Sequence, residues 1–187
     1  MKNKGLLVVI SGPAGAGKGT VVRELVKDEN VMVSVSATTR APRAGEENGV
    51  HYHFLSKEQF EEMIRSDGFL EYAQYVGNFY GSPKKQAQDW MDQGKDVILE
   101  IEVQGCKKIK SSFPECVSIF IMPPSMEELE SRLRGRGTET DEVIAKRLKR
   151  AEEEIKLSED YDHVIVNDTV EQCVEQIKAV LETERNK

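Results

Sequence analysis

The sequence predicts an α/β fold in which a parallel sheet is covered by helices on both faces. At both ends of the chain, apolar stretches of strand length alternate with amphipathic stretches of helix length. This alternation is typical of parallel strands joined by crossover helices. The middle of the chain, about 37–93, breaks the rhythm with short hairpin-like strands, so we expect an inserted lobe there. A second small segment, near 126–157, is predicted to be helical and mobile.

The first predicted strand, 6–10, leads into a glycine-rich loop and then a helix that extends to about residue 28. This order is the context of a phosphate-binding loop. Glycines allow left-handed backbone and close approach to a ligand. The loop N–H groups converge, and the helix adds the positive end of its dipole. Lys18 is predicted to reach back toward the β- and γ-phosphates. The loop consists of Gly12, Pro13, Ala14, Gly15, Ala16, Gly17, Lys18, Gly19 and Thr20.

The loop departs from the usual pattern at Gly19, where a serine or threonine normally places its hydroxyl on Mg²⁺. Thr20 comes one position later and is expected to bond a phosphate. We therefore expect Mg²⁺ to be held by phosphates, waters and a carboxylate from elsewhere in the chain. The alternative is a structural glycine-rich turn, which the preceding strand, the lysine and the following helix oppose.

The remaining elements are predicted from periodicity and capping signals. Ser56 opens a helix with a capping box, and Ser82-Pro83 indicates an N-cap followed by proline at the first helical position. Further capping signals stand at Ser125 and Thr169. Strands are expected at 31–35, 50–55, 69–75, 79–80, 97–103, 117–122 and 164–166, and helices at 56–64, 83–93, 106–110, 126–134, 141–158 and 170–181.

Composition restricts the function classes. The chain has 187 residues with 39% hydrophobic and 32% charged residues, which suits one folded domain. Its net charge of −7 disfavours binding to a nucleic-acid polymer. No apolar stretch approaches the ~20 residues of a membrane span, and no signal peptide is expected. Three cysteines without metal spacing are typical of a cytoplasmic protein. A homo-oligomer stays open.

Two arginine clusters indicate where a second anionic ligand would bind. Arg40 and Arg43 lie in a proline-stiffened polar loop and could fork onto one phosphate. Arg132, Arg136 and Arg147 flank a polar hinge and could neutralise a transferring phosphoryl group. Either cluster alone is more often solvated surface. Their pairing with a phosphate loop in an acidic chain favours the functional interpretation.

Five further motifs stand at 34–43, 45–52, 77–82, 99–105 and 136–140. Together they resemble the guanylate kinase family over nearly the whole chain. The resemblance implies a P-loop nucleoside-monophosphate kinase fold with a parallel five-stranded core sheet, an inserted mixed α/β GMP-binding lobe and a small helical lid. The implied core is about 1–36, 94–125 and 158–187, the lobe 37–93 and the lid 126–157. The implied reaction is ATP + GMP to ADP + GDP with Mg²⁺, in purine nucleotide metabolism, with dGMP as a further acceptor.

The resemblance also implies roles for individual residues. Arg40 and Arg43 would grip the GMP phosphate, with Arg136 and Arg147 clamping from the lid. Guanine presents two adjacent donors, which match carboxylate acceptors. The residues implied on the GMP side are Ser36, Arg40, Arg43, Tyr52, Glu71, Tyr80, Ser82 and Glu102; those on the ATP side, besides the loop, are Arg132, Asn167 and Asp168.

Several of these assignments keep an alternative. Tyr52 and Tyr80 could be core aromatics, Ser82 could serve as a helix cap, and the 167–168 pair could be an ordinary turn. Glu102, in a predicted apolar strand, would be costly to bury without a partner, which favours a ligand.

Glu100 is the predicted metal-side residue. It lies on the same predicted strand as Glu102, beside the phosphate loop, at the edge where open α/β sheets bind ligands. We assign it to Mg²⁺ by way of water. No general base is needed, because a phosphate acceptor is largely ionised near neutral pH.

Two other interpretations of the function stay open: a non-catalytic guanylate-kinase-like protein-binding module, and a kinase for another nucleoside monophosphate.

Overall fold

The sheets set the positions of every candidate residue. The computed structural model describes residues 4–75, 77–135, 137 and 140–187. Within this part of the chain the strands are β1 (Leu7–Ser11), β2 (Val31–Val33), β3 (Ala37–Thr38), β4 (His53–Phe54), β5 (Phe69–Tyr75), β6 (Asn78–Pro83), β7 (Asp96–Glu100), β8 (Val117–Met122) and β9 (His163–Val166).

The helices agree with the predicted order and differ mainly at their ends. A 3₁₀ turn, Ser158–Asp160, follows the helix Asp141–Lys156. The helices are α1 (Lys18–Leu25), α2 (Lys57–Arg65), α3 (Lys84–Asp92), α4 (Val103–Ser112), α5 (Met126–Gly135), α6 (Asp141–Lys156) and α7 (Val170–Arg185).

The central sheet has the strand order β2-β7-β1-β8-β9, and all of its pairs are parallel. Every residue of β1 is buried, as expected for a strand covered on both faces. Side chains of α1 and α7 pack on one face, and side chains of α3 and α4 pack on the other. The predicted five-stranded parallel sheet with helices on both faces is therefore confirmed. Because β1 is central, the loop that follows it opens at the middle of the sheet edge.

A second sheet, with the order β4-β3-β6-β5, is formed by the middle of the chain. The β3–β4 pair is parallel, whereas β3–β6 and β5–β6 are antiparallel. Helix α2 begins at the predicted capping box of Ser56 and buries Phe60 against this sheet. The Phe60 ring stacks on Phe69 at 4.3 Å and on Phe79 at 5.4 Å. This small aromatic core holds the second sheet together.

Two sequence predictions about element ends are wrong. The strand predicted at 97–103 ends at Glu100, and Glu102 is the N-cap of α4. The apolar run continues past the turn because Val103 is buried in the first turn of that helix. Ser82 belongs to β6, and the N-cap of α3 is Pro83. The Ser82 hydroxyl instead donates a hydrogen bond to Glu71 on the neighbouring strand, β5.

An ion pair between a buried carboxylate and a half-exposed arginine joins residues near both ends of the chain to the sheet. Asp96, at the start of β7, is fully buried and accepts a hydrogen bond from the Leu6 N–H at 3.0 Å. Arg185 Nη2, near the end of α7, donates to the same carboxylate at 2.5 Å. The three cysteines are free and buried. Within the described ranges, no helix combines the length and apolar character needed to cross a bilayer.

Candidate active site

The glycine-rich loop between β1 and α1 has the left-handed backbone that its glycines predict. Gly12, Gly15 and Gly17 have φ angles of 149°, 92° and 89°. A Cβ added to Gly12 would overlap the Ile121 carbonyl oxygen. One added to Gly17 would overlap the amide nitrogen of Asn167. The loop therefore follows a path that only glycine fits at these positions, packed against the ends of β8 and β9.

Lys18 extends back over this loop, as expected from the sequence. Its Nζ donates to the carbonyl oxygens of Gly12 at 2.5 Å and Pro13 at 3.1 Å. The ammonium group is thus held above the concave side of the loop, at the N-terminus of α1. A lysine charge beside helix N–H groups is the arrangement that binds nucleotide phosphates.

The three other residues predicted on the ATP side lie together beneath the loop. Asn167 is 2% exposed, and its Nδ2 donates to the Ala16 carbonyl oxygen at 2.7 Å. Arg132, on α5, donates to the carbonyl oxygens of Asn167 at 3.1 Å and Asp168 at 3.4 Å. Its Nε also donates to Glu128 at 2.8 Å. Asn167 thus holds the backbone of the loop through its side chain, a contact that a residue serving only in a turn would not make.

Glu100 ends β7 beside the start of α1. A Cβ added to Gly19 would lie 3.9 Å from both carboxylate oxygens of Glu100, so Gly19 leaves space that the carboxylate faces. Burial raises the pKa of Glu100, while the charges of Lys18 and Arg23 oppose that rise. A carboxylate facing open space near a phosphate loop is a suitable oxygen donor for Mg²⁺, directly or through water. The donor chemistry therefore fits the ion.

Arg40 is held in the loop that follows β3 by a residue that sequence reasoning missed. Its guanidinium donates to both oxygens of Glu46, at 2.9 Å each. The Arg43 N–H donates to the same carboxylate at 2.7 Å. The Arg40 bonds, with that N–H, lower the pKa of Glu46 to about 2. A glutamate three residues after the second of two arginines, in one short polar loop, was the available signal.

The two tyrosines lie near Arg40, with Tyr80 in β6 of the second sheet and Tyr52 directly before β4. The rings of Tyr52 and Tyr80 are 6.1 Å apart, and the Arg40 guanidinium lies 5.4 Å from the Tyr52 ring centre. Both tyrosines are half-buried rather than enclosed in the core. Burial raises the pKa of the Tyr52 hydroxyl, so it is protonated and able to donate at neutral pH. Arg40 and two phenol groups therefore share one region.

Glu71 and Ser82 face each other across β5 and β6. They are register partners, and the Ser82 hydroxyl donates to Glu71 Oε1 at 2.9 Å. Burial raises the pKa of Glu71, partly opposed by Ser82 and by the charge of Lys108. Ser36 precedes β3 and is half-buried, with its carbonyl oxygen accepting the His53 N–H at 2.8 Å. The second sheet thus presents a fixed, partly desolvated carboxylate.

Glu102 has a different environment from the one predicted. Its side chain is 67% exposed, so the argument from the cost of burying it in a strand is wrong. The expectation that Glu100 and Glu102 share a face of one regular strand is also wrong, because the strand ends between them. Glu102 instead forms an ion pair with Arg150 of α6. Its role toward guanine stays a prediction.

The remaining arginines predicted to clamp phosphate belong to the segment around α5 and α6. Arg147 lies on α6 and is half-buried. Arg136 lies outside the described residues, so its predicted role is left as a prediction.

Comparison with known proteins finds similar proteins over nearly the full length of the chain. The guanylate kinase family model matches residues 4–184. A guanylate kinase of Halalkalibacterium halodurans is 58% identical over 187 residues, covering 100% of this chain and 92% of that protein. One from Clostridioides difficile is 54% identical, covering 98% and 90%. The crystal structure of guanylate kinase from Anaplasma phagocytophilum superimposes with a TM-score of 0.80 at 41% identity, covering 100% and 89%.

A phosphate loop at the centre of a parallel sheet, with a second sheet carrying an arginine, two tyrosines and a carboxylate, defines a P-loop kinase of nucleoside monophosphates. The chain belongs to the guanylate kinase family. It is accordingly an enzyme, and the non-catalytic binding module is not favoured.

Proposed function

We propose that this protein transfers the γ-phosphoryl group of Mg·ATP to GMP, with the glycine-rich loop as donor site and the second sheet as acceptor site. Membership of the guanylate kinase family supports the reaction of ATP and GMP to ADP and GDP. The observation that carries the acceptor assignment is the Glu71–Ser82 pair. It presents a desolvated carboxylate on the sheet that also holds Tyr52 and Tyr80.

The acceptor phosphate is proposed to bind at Arg40 and Arg43, with phenolic hydroxyls from Tyr52 and Tyr80. Arg40 is already oriented by its two bonds to Glu46, so its guanidinium loses little rotational freedom when a phosphate arrives. Guanine would donate its N1–H and exocyclic amine to Glu71 and Glu102, with Ser36 and Ser82 adding short hydroxyl contacts. AMP lacks this donor pair, which favours GMP. These base contacts do not involve the 2′-hydroxyl, so dGMP should serve as well.

The donor side is proposed to work by positioning and charge neutralisation. The loop 12–20 would cradle the ATP phosphates with its N–H groups, and Lys18 would exchange its carbonyl contacts for phosphate oxygens. Glu100 would hold Mg²⁺ through water, aided by the space that Gly19 leaves. When bound, the ion supplies a positive charge that neutralises phosphate oxygens. The acceptor oxygen is largely ionised, so no side chain is needed as base.

The segment 126–157 is proposed to act as a lid, and the segment 37–93 as the GMP-binding lobe. Arg136 and Arg147 would clamp the transferring group from the lid, and Arg132 would approach ATP from α5. Closure would exclude water, which otherwise competes as phosphoryl acceptor. The bonds from Arg132 to the backbone at Asn167 and Asp168 support its proposed role toward ATP, because they hold this arginine beside the phosphate loop.

We further propose a cytoplasmic enzyme with small-molecule partners and no nucleic-acid polymer. Three free buried cysteines suit a reducing compartment, and the net charge of −7 opposes binding to a polyanion. The small anionic substrates are bound by local arginine clusters instead.

The test is ADP release with Mg·ATP against GMP, dGMP, AMP, CMP, UMP and dTMP in turn. We expect strong turnover with GMP and dGMP only. Turnover with AMP or dTMP would keep the kinase and overturn the base-reading role of Glu71 and Glu102. A folded sample that is inactive with every acceptor would overturn the proposed reaction and restore the binding module.

A further inference from the structure

Arg150 of α6 joins three parts of the structure that the mechanism above treats separately. Its Nη2 forms an ion pair with Glu102 Oε2 at the N-terminus of α4. Its Nε donates to Glu154 Oε1, one turn further along α6, at 2.8 Å. Its guanidinium carbon lies 5.9 Å from the ring centre of Tyr75, at the end of β5 in the second sheet. We propose that Arg150 is a positioning residue that fixes Glu102 for reading the exocyclic amine of guanine.

The first step in the argument is that Arg150 is anchored independently of Glu102. Glu154 is only 8% exposed, and a buried carboxylate without a partner is costly. Burial raises the pKa of Glu154, and its bond to Arg150 opposes that rise. Because a guanidinium is a rigid plane, fixing its Nε at Glu154 also fixes the direction of Nη2. The arginine therefore approaches Glu102 from a set position.

The second step is that this contact differs from an ordinary surface ion pair. Exposed pairs contribute little, since two long side chains must be ordered to form them. Glu102 is 67% exposed and, lacking its partner, would sample several rotamers. Here one side of the pair is already ordered by Glu154 and by the Tyr75 ring, so the ordering cost falls mainly on Glu102. The pair thus selects one direction for the Glu102 carboxylate.

The third step concerns what that direction serves. Arg150 engages Oε2 of Glu102, which leaves Oε1 as an acceptor for a ligand. The backbone of Gly105, one turn into α4, donates to the Glu102 carbonyl oxygen, and a Cβ on Gly105 would lie 3.4 Å from Glu71 Oε2. The Glu71 carboxylate therefore lies against the first turn of α4, the helix whose N-cap is Glu102, so both acids belong to one small region that could accept the two donors of guanine. This inference rests on the proposed function, because it takes Glu102 as a guanine-reading acid.

The experiment compares the binding of GMP and IMP, which differ by the exocyclic amine. Dissociation constants are measured by calorimetry for the wild type, Glu102→Gln, Arg150→Ala and the double variant. We expect Arg150→Ala to weaken GMP binding about tenfold and IMP binding less than twofold, the scale of one lost bond to a charged group. The GMP-to-IMP ratio is the affinity for GMP divided by the affinity for IMP, so weaker GMP binding lowers it. In the Glu102→Gln background, Arg150→Ala should leave this ratio unchanged, because the two residues act through one contact.

The matched control is Arg134→Ala. Arg134, on α5, also donates hydrogen bonds to two carboxylates. Its partners in the described part of the chain are Glu130 and Asp141, and Glu102 is not among them. Its substitution should leave the GMP-to-IMP ratio at the wild-type value. Arg150→Lys retains the charge and much of the packing, so it should lower the ratio by less than Arg150→Ala does. This variant keeps the test available if Arg150→Ala is unstable.

Two failures are distinguishable. If Glu102→Gln leaves the ratio unchanged, Glu102 does not read the amine, and that part of the proposed function is overturned together with this inference. If Glu102→Gln lowers the ratio but Arg150→Ala and Arg150→Lys weaken GMP and IMP equally, the role of Arg150 alone is overturned.

Discussion

Lys18 is the residue on which phosphoryl transfer depends most directly. Its Nζ already lies over the loop on the Gly12 and Pro13 carbonyl oxygens. We predict that Lys18→Ala lowers kcat by at least about 10²-fold, the scale of losing one preorganised charge in the transition state. The thermal midpoint should change little, because the side chain is not part of the core. Steady-state kinetics and a thermal melt check this.

The matched control for that prediction is Lys27→Ala. Lys27 lies shortly after the same helix, is 71% exposed and pairs with Glu24 at the surface. It should keep wild-type kcat. A Lys18→Ala variant with near-wild-type turnover would remove Lys18 from the mechanism.

Glu71 is predicted to read guanine as a carboxylate, and burial raises its pKa. A raised pKa means that the carboxylate is lost at a higher pH than in an ordinary glutamate. We predict that Glu71→Gln raises KM for GMP at least tenfold and leaves KM for ATP within twofold.

We also predict that, from about pH 7 to 5, KM for GMP rises more steeply in the wild type than in Glu71→Gln. The phosphate of GMP titrates near ~6 in both proteins and serves as the internal reference. Parallel pH profiles, or equal losses for both substrates, would contradict the assignment.

At the residue scale, sequence reasoning succeeded where a local pattern fixes the chemistry. The spacing around Lys18 predicted its direction, because glycine, strand and helix leave one path for the loop. Glu102 was placed in the wrong environment, because an apolar run does not show where a strand turns into a helix. The Glu46 contact to Arg40 was missed, since an acidic residue in a polar loop has many equivalent partners before the loop is folded.

Among the elements, the connection between β9 and α7 supports the phosphate loop. We predict that Asn167→Ala raises KM for ATP about fivefold and destabilises the protein by about 1 kcal/mol, the usual value of one internal hydrogen bond. The reason is the lost bond to the Ala16 carbonyl oxygen, which would then be left without its donor. Titration with ATP and denaturant unfolding measure the two effects.

Asn186→Ala provides the comparison for that change. Its amide also donates to a backbone carbonyl oxygen, that of Glu182, but at the exposed end of α7. It should leave KM for ATP unaltered. Equal effects on ATP use from both variants would mean that Asn167 is not a specific support of the loop.

Element prediction was most accurate where a cap and a periodic face coincide. The helix opened by Ser56 has both the capping box and the buried Phe60, and it was predicted from the same features. The helix start at Ser82-Pro83 was displaced by one residue, because Ser82 pairs with Glu71 across β5 and β6 and its hydroxyl donates to that half-buried carboxylate. Pairing across strands is not visible in a local sequence signal.

At the scale of the whole molecule, the Asp96–Arg185 ion pair joins the start of β7 to the end of the last helix, α7. We predict that Asp96→Ala lowers the free energy of unfolding by about 2 kcal/mol, the scale of hydrogen bonds lost from a charged group, because the Arg185 side chain left behind is 42% exposed and can be solvated. The Leu6 N–H and the Arg185 guanidinium would both lose their acceptor. Urea unfolding with a constant slope checks the value. Asp92→Ala is the control, because Asp92 is 67% exposed and lies 3.7 Å from Lys4. A loss equal to that of the control would mean that the pair contributes nothing specific.

At this largest scale, the alternation of strand and helix lengths sufficed to predict a parallel sheet covered on both faces. The order β2-β7-β1-β8-β9 could not be read in the same way, because it depends on long-range pairings whose apolar strands are interchangeable in composition. The inserted second sheet was visible only as a break in the rhythm.

The central position of β1 also has a consequence for biosynthesis. Leu7 pairs with Val97, and Val8 pairs with Val117, so the first strand to leave the ribosome waits for partners made much later. The second sheet and α2 contain only pairings within residues 37–83 and can be complete in a shorter nascent chain. Local contacts form faster than distant ones. We therefore expect the second sheet, which carries Glu71, Tyr80 and Ser82, to form during translation before there is any place for ATP to bind.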